Sequence, residues 1–246
     1  MTTLFISDLH LNPSDPTRIK LTIDFLKAQQ ANTGSLYILG DLFNTWLGDD
    51  IVPCEFEPLI DQLRALHDSG MKTYLMVGNR DFMMGKQFAQ RAGCKLLHDS
   101  CIIDLYGART LLLHGDSLCI DDISYQRYRR WTRSKVLQWC FLHLPSNYRQ
   151  GISDKIKQKS RQQKQHKSAI IMDVNQAEVI RVMKQFKVKR LIHGHTHRPD
   201  IHQIDIDDQI AHRIVLGDWE NEVSYLKCDE QRCQLVDHRT NVSLPN

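Results

Sequence analysis

Short apolar runs, rich in β-branched and aromatic residues, recur along the chain between polar stretches. The first five are "TLFISDL", "SLYILGDL", "KTYLMVGN", "TLLLHGD" and "RLIHGHTH". Their length and composition predict buried β-strands. Helical spacing fills two of the gaps. "RIKLTIDFLKAQQ" puts Ile19, Ile23 and Leu26 on one face, and "EPLIDQLRALHDSG" does the same with Leu59, Leu63 and Leu66, with Gly70 as a stop. Strand alternating with helix predicts an α/β class. "HRIVLGD", "VSYLKCD" and "CQLVDH" follow near the C-terminus with short connections, which predicts antiparallel pairing there and a mixed sheet system overall.

The alternation breaks from about Asp121 to Gln165. Two helices are predicted there, separated by "LPSNYRQG", with Pro145 and Gly151 as punctuation. We therefore expect a single domain over residues 1–246 with a helical insertion over 121–167. The first helix carries Trp131, Val136, Leu137, Trp139, Phe141 and Leu142. As individual side chains Trp131, Trp139 and Phe141 are expected to pack the insertion onto the domain, the alternative being that its apolar residues line a cavity.

Charge sharpens the picture of this segment. The whole chain carries +3, but Tyr125 to Lys167 holds twelve basic residues and one acid, so that stretch is +11 and the remainder −8. Such asymmetry marks a surface for anions. At 41% apolar and 25% charged residues the chain is globular. No basic leader precedes the first apolar run, and "VLQWCFLHL" is well short of the ~20 residues of a spanning helix. A cytoplasmic protein is expected. The seven cysteines lack C-x-x-C spacing, so reduced thiols packing as small apolar groups are expected.

The five early runs share a second property. Each hands over to side chains able to bind a cation: Asp8 and His10, then Asp41, Asn79, His114, and finally His195 and His197. Loops at the carboxyl ends of strands gather into one crevice in α/β folds. A lone aspartate there is usually a turn former or helix cap, and a lone histidine usually structural. Five ends in succession point instead to a shared site. Imidazoles and carboxylates suit Mn, Fe, Zn or Co, and an aspartate can bridge two ions about 3.5–4 Å apart, an arrangement suited to phosphoryl transfer.

The order "DLH", "GDLF", "GNRD", "HGD" and "GHTH" resembles the signature of the calcineurin-like metallophosphoesterases. The resemblance implies a four-layer αββα sandwich with mixed sheets and two divalent metal ions, most consistent with Mn²⁺. By motif, Asp8, His10 and His197 would hold one ion. Asn79, His114 and His195 would hold the other, with Asp41 between them. His193 precedes the last motif and is expected to be structural.

Many relatives carry histidine where "GNRD" has Arg80. Arginine cannot serve as a general acid, but it can clamp a phosphate oxygen. That role is expected of Arg80 in preference to a surface pair with Asp81. Arg80 and His195 would together stabilise charge on the phosphoryl group. Longer stretches, including "GNRDFMMGKQFA", "LLLHGDSLCIDDISYQRYR" and "LIHGHTHRP", resemble a bacterial branch of the family that acts in lipid A synthesis. Its substrate is a UDP-linked diacylated glucosamine, attacked by water at the α-phosphorus to release UMP. This implies that the 121–167 insertion is a cap over the site. It also implies that Asn79, Arg80, Asp122, Ser160, Lys164, Lys167 and His195 contact substrate. Read as a residue alone, Asp122 is more simply the N-cap of "DDISYQRYRR". The apolar "VLQWCFLHLP" beside the cations favours a lipid partner over nucleic acid. It suggests peripheral attachment to the anionic inner face of the cytoplasmic membrane. No obligate protein partner is evident.

Overall fold

The computed structural model describes residues 1–164, 173–220 and 222–245. In chain order, β1 (Thr2–Ile6), α1 (Pro16–Gln29), β2 (Thr33–Leu39), α2 (Glu57–Asp68), β3 (Lys72–Met76), α3 (Lys86–Arg91) and β4 (Cys94–Leu96) build the first half. β5 (Ser100–Leu105) and β6 (Ala108–Leu113) form a hairpin, and α4 (Ile123–Thr132), α5 (Lys135–Leu142) and α6 (Ser146–Lys164) follow. Then come α7 (Gln176–Phe186), β7 (Arg190–His193), β8 (Asp200–Ile206) and β9 (Gln209–Val215). β10 (Tyr225–Cys228), β11 (Arg232–Asp237) and β12 (Thr240–Pro245) end the chain.

The strands form two mixed sheets. One runs β12-β11-β10-β1-β2-β3-β4 and the other β5-β6-β7-β9-β8. β1 to β4 are parallel neighbours, and β10, β11 and β12 add on antiparallel. In the second sheet β6, β7 and β9 are parallel, with β5 and β8 antiparallel at the edges.

The period of two in a strand explains the layers. On β1, Leu4 and Ile6 face α1 and α2, where Phe25, Leu26, Leu59 and Leu63 meet them. Phe5 points the other way, into a core shared with Leu112, Ile192 and Ile214 of the second sheet. On β6 and β7, Leu111, Leu113 and Leu191 pack on Val179, Val182 and Met183 of α7. The expected αββα sandwich follows directly: helix, sheet, sheet, helix, with three apolar layers between.

The insertion differs from expectation in its detail. It holds three helices, and Gly151 lies inside α6. Nothing stands within 4 Å of where a Cβ on Gly151 would be. One glycine costs only ~1 kcal/mol in a helix, too little to end one of 19 residues. The expected break at Pro145 is present, between Leu142 and Ser146, and a second falls at Ser134, whose backbone is extended. The tryptophans do not pack the segment down: Trp131 and Trp139 are 68% and 61% exposed, whereas Phe141 is half-buried. Arginines do the fastening. Arg129 Nε donates to Asp116 Oδ2 (2.8 Å), Arg133 Nη2 to the Gly78 carbonyl (3.0 Å) and Arg149 Nη1 to the Leu47 carbonyl (2.8 Å).

The cysteine expectation is also corrected at one pair. Cys228 and Cys233 are direct partners in the β10–β11 ladder, with Cα atoms 4.1 Å apart, and are joined by a disulfide. The other five are outside any disulfide.

Candidate metal centre

Each sequence-predicted ligand sits just beyond a strand, where the ladder has stopped. The loops after β1 and β2 stay joined there: Asp8 N donates to the Gly40 carbonyl (3.1 Å), and His10 N to the Asp41 carbonyl (2.9 Å). Gly194 N donates to the His114 carbonyl (2.9 Å), tying the loops of the second sheet in the same way. β7 ends at His193, so His195 and His197 lie on a loop and not on one strand face.

The backbone at this centre is strained. Asp8, His10, Asp41, His195 and His197 have φ of 56°, 49°, 52°, 71° and 56°. Non-glycine residues avoid this region, at a cost of ~1–3 kcal/mol each, and persist in it where surrounding structure holds them. The glycines of the motifs make the close approaches possible. A Cβ on Gly78 would lie 2.1 Å from Asp41 Oδ1, and one on Gly194 would lie 2.2 Å from Asp8 Oδ2.

Two groups of side chains offer ligand atoms within 4.8 Å of one another: Asp8, His10 and His197, and Asp8, Asp41 and His114. In the first, His10 Nε2 is 3.2 Å from His197 Nε2, and Asp8 Oδ1 is 3.5 Å from that same nitrogen. Ligand atoms ~2.1 Å from one ion stand about 3–3.5 Å from each other, and two of the three separations fall in that range, the third, Asp8 Oδ1 to His10 Nε2, being 3.9 Å. In the second, Asp41 Oδ2 lies 3.8 Å from His114 Nε2 and also 3.7 Å from His10 Nδ1. One carboxylate oxygen thus faces a histidine of each group, meeting His10 at Nδ1 while His10 Nε2 faces His197. His114 Nε2 reaches Asn79 Oδ1 (3.0 Å), and the His114 and His195 ring centroids are 5.1 Å apart.

The donor set passes a chemical test for cations. Asp8 Oδ1 and His10 Nδ1 are buried and lack hydrogen-bond partners, an arrangement costly without a charge to face. His114 Nδ1 donates to the Leu39 carbonyl (2.8 Å), so Nε2 is the atom turned to the site. Burial and neighbouring charges pull these groups in opposite directions. Burial pushes His10 down to about 3 and His195 down to about 4, leaving neutral imidazoles. Burial also opposes charge on His197 and His114, but the carboxylates around them win. Asp218 and Asp8 take His197 up to about 10, and Asp41 and Asp8 raise His114. Burial lifts Asp41 to about 7: Asp81 and Asp8 add to it, against the pull of His114 and Arg80. Cations would displace the protons that these groups hold.

The remaining predicted residues divide. Arg80 joins the centre: its backbone N donates to Asp41 Oδ1 (2.8 Å), and its Nη1 to Asn44 Oδ1 (2.8 Å). It does not pair with Asp81, which is buried and accepts from Gly78 N (2.7 Å) and Phe43 N (3.3 Å). Asp122 caps α4 by accepting from Tyr125 N (3.0 Å) and stands outside both ligand groups. Ser160 is exposed on α6. The side chain of Lys164 and the whole of Lys167 lie outside the described residues. His193 is fully buried, donating to the Gly194 carbonyl and facing Arg213, as a structural histidine does.

Two residues at the centre were not anticipated. Asp218 Oδ2 lies 3.2 Å from His197 Nδ1 and is held by Arg239. Its signal was present, since "HRIVLGD" ends as the early strands do. Asp116, buried beside His114 in "HGD", accepts from Tyr125 Oη (2.7 Å) and Arg129 and so links the insertion to the centre. The Tyr125 ring lies 6.0 Å from that of His195.

Comparison with known proteins gives a consistent picture. Residues 1–199 match the calcineurin-like phosphoesterase family. A protein from Vibrio vulnificus called UDP-2,3-diacylglucosamine hydrolase is 48% identical over 227 residues, covering 92% of this chain and 93% of its own. Proteins of the same name from Pseudomonas aeruginosa and Photobacterium profundum are 47% and 44% identical. They cover 93% and 96% of this chain, and 95% and 96% of their own.

Proposed function

The chain belongs to the calcineurin-like phosphoesterase family, and from that premise we propose that it hydrolyses UDP-2,3-diacylglucosamine. The carrying observation is the pair of ligand groups sharing Asp8, set beside a basic helical insertion with exposed apolar side chains. The relatives' shared name supplies the substrate. Water adds to the α-phosphorus, the bond from that phosphorus to the bridging oxygen breaks, and the products are UMP and 2,3-diacylglucosamine 1-phosphate.

Asp8, His10 and His197 would hold one divalent ion and Asn79, His114 and His195 a second, with Asp41 between; Mn²⁺ is the ion we assign. Such a pair supplies Lewis-acid charge neutralisation and lowers the pKa of bound water. Arg80, fixed by Asn44, offers its guanidinium to the phosphoryl oxygens. His195 turns a neutral ring to the same group, and Asp218 orients His197.

Residues 121–167 act as a cap within a single domain of 1–246. The cap carries the substrate contacts assigned to Asp122, Ser160, Lys164 and Lys167. Exposed Trp131, Leu137, Trp139, Leu142, Ile152 and Ile156 offer apolar area to acyl chains and to a membrane. No helix among the described residues is long and apolar enough to cross a membrane. We therefore assign peripheral attachment to the anionic cytoplasmic face of the inner membrane, through the +11 insertion.

The test is metal analysis of the purified protein together with product identification from UDP-2,3-diacylglucosamine. Two equivalents of divalent metal and release of UMP are expected. Cleavage of a simple aryl phosphodiester without cleavage of the UDP-lipid would overturn the substrate.

A further inference from the structure

The metal centre has two unlike flanks. On one side lies the insertion, which reaches the centre through Tyr125 beside His195 and through Arg129 on Asp116. On the other side a cleft of about 650 Å³ opens directly over Asp8, His10 and His197. Its size is within the ~300–1,000 Å³ of small-molecule pockets. Asn12, Ser14, Asp15, Arg18, Asn44 and Glu220 line it, and among the described residues none of the insertion does.

The walls of this cleft are held in place. Arg18 Nη2 donates to the Glu220 carbonyl (3.1 Å), joining the first turn of α1 to the loop after β9. Asn12 Oδ1 accepts from Ser14 N (3.2 Å), shaping the turn before α1. Arg80, tied to Asn44, stands at the boundary between cleft and ligand groups. The lining is amide, hydroxyl, carboxylate and guanidinium, and its tryptophan, Trp219, is fully buried.

The substrate of the proposed reaction is just as unsymmetrical about its scissile bond. One half is a nucleoside monophosphate, with a hydrogen-bonding base and a ribose diol. The other is a diacylated sugar phosphate. Resting on that reading, we propose that the cleft over Asp8, His10 and His197 is the subsite for the nucleoside monophosphate half. The lipid half then lies on the insertion side. Glu220 matches the donor hydroxyls of a ribose, beside Asp15, which accepts from Arg18 N (3.0 Å) and pairs with Arg18 Nε (3.3 Å), while Asn12 Nδ2 and the Arg18 guanidinium match the carbonyl acceptors of a pyrimidine edge. Acyl chains find no apolar wall there. Desolvating those carboxylates against a methylene chain is unfavourable, so the orientation has a physical cause in the lining itself.

The test compares the two products as inhibitors of the metal-loaded enzyme. Arg18→Ala and Asn12→Ala are made, and inhibition constants are measured for UMP and for 2,3-diacylglucosamine 1-phosphate. For Arg18→Ala the UMP constant should rise about tenfold, and for Asn12→Ala about threefold, with the lipid phosphate within about twofold in both. Unchanged UMP inhibition in both variants, or equal weakening of the two products, overturns the subsite. Within the fold Asn12→Ala removes one turn hydrogen bond, from Ser14 N, so it carries the test if Arg18→Ala fails to fold. Should the parent enzyme release no UMP from the UDP-lipid, it is the substrate reading that fails. Direct UMP titration of the loaded parent and variants then still decides the cleft.

Discussion

Asp218 holds His197 from the ring nitrogen opposite the one that faces Asp8, with Oδ2 3.2 Å from Nδ1. The carboxylate is itself clamped, since Arg239 Nη1 donates to its Oδ1 (2.8 Å) and Arg239 Nη2 to Asp237 Oδ2 (2.7 Å). This is the carboxylate–histidine pairing that fixes the ring and raises the basicity of a metal-binding nitrogen. Asp218→Ala should weaken metal affinity by about 10–100-fold, read by titrating Mn²⁺ into metal-free protein. Asp218→Asn, which keeps an acceptor for the ring N–H, should lose less. Equal affinity in Asp218→Ala and the parent would show that the pair is incidental.

Arg80 is placed by its backbone as much as by its side chain. Its N–H fixes Asp41 Oδ1, while the guanidinium stands 3.8 Å from Asp41 Oδ2 and bonds Asn44. Truncating the side chain leaves the backbone bond in place. Arg80→Ala should therefore keep its metal but lose about 10²–10³ in kcat. Arg80→Lys keeps the charge without the planar fork and should recover only part of it. Loss of metal in Arg80→Ala, seen by elemental analysis, would assign the residue to holding the centre together.

Gly78 is where the third motif makes room for the second. A methyl there would sit 2.1 Å from Asp41 Oδ1 and 2.4 Å from Asp41 N. Both atoms are fixed within the strained loops, so neither can yield cheaply. Gly78→Ala should cost about 1–3 kcal/mol of stability through overpacking. It should also displace Asp41 from its position between His10 and His114. Denaturant unfolding of the metal-free protein reads the first effect, and metal content reads the second. A variant with normal stability and a full complement of metal would refute the packing argument.

β1, β2, β6 and β7 were legible because their apolar runs are buried almost continuously toward the carboxyl end, with no polar alternation to hide them. The four strands that the pattern did not reveal are β4, β5, β8 and β12, and these are the edges of the two sheets. On β8 the side chains from Ile204 to Ile206 alternate between half-buried and exposed, and on β12 Thr240 to Pro245 do the same. Their composition therefore reads as ordinary surface. The candidate ligand residues were legible for a related reason: an apolar strand ending in Asp, Asn or His is conspicuous. Asp218 ends such a run but stands outside the recognised motifs, so only distance to His197 identifies it. The insertion was hardest to read because α4 and α5 bury no residue, leaving helix boundaries without an apolar face to fix them. The Cys228–Cys233 bond depends on the β10–β11 register, which cysteine spacing does not encode.

That unburied insertion leads to a prediction separating packing from binding. Trp131 and Trp139 are 68% and 61% exposed, so removing them takes little from the core. The segment is held down instead by Arg129, Arg133 and Arg149 on Asp116, Gly78 and Leu47. Replacing both tryptophans by alanine should shift Tm by no more than about 2 °C, since exposed substitutions cost within about 0.5 kcal/mol. The same double variant should bind anionic vesicles more weakly than the parent in flotation, because each lost aromatic ring removes apolar area from the lipid contact. Raising the salt should weaken the parent as well, by screening the +11 segment. Arg149→Ala should behave oppositely, lowering Tm by removing a fastener while leaving both tryptophans in place. If the tryptophan variant melts early and floats normally, these rings serve the fold and the membrane face lies elsewhere.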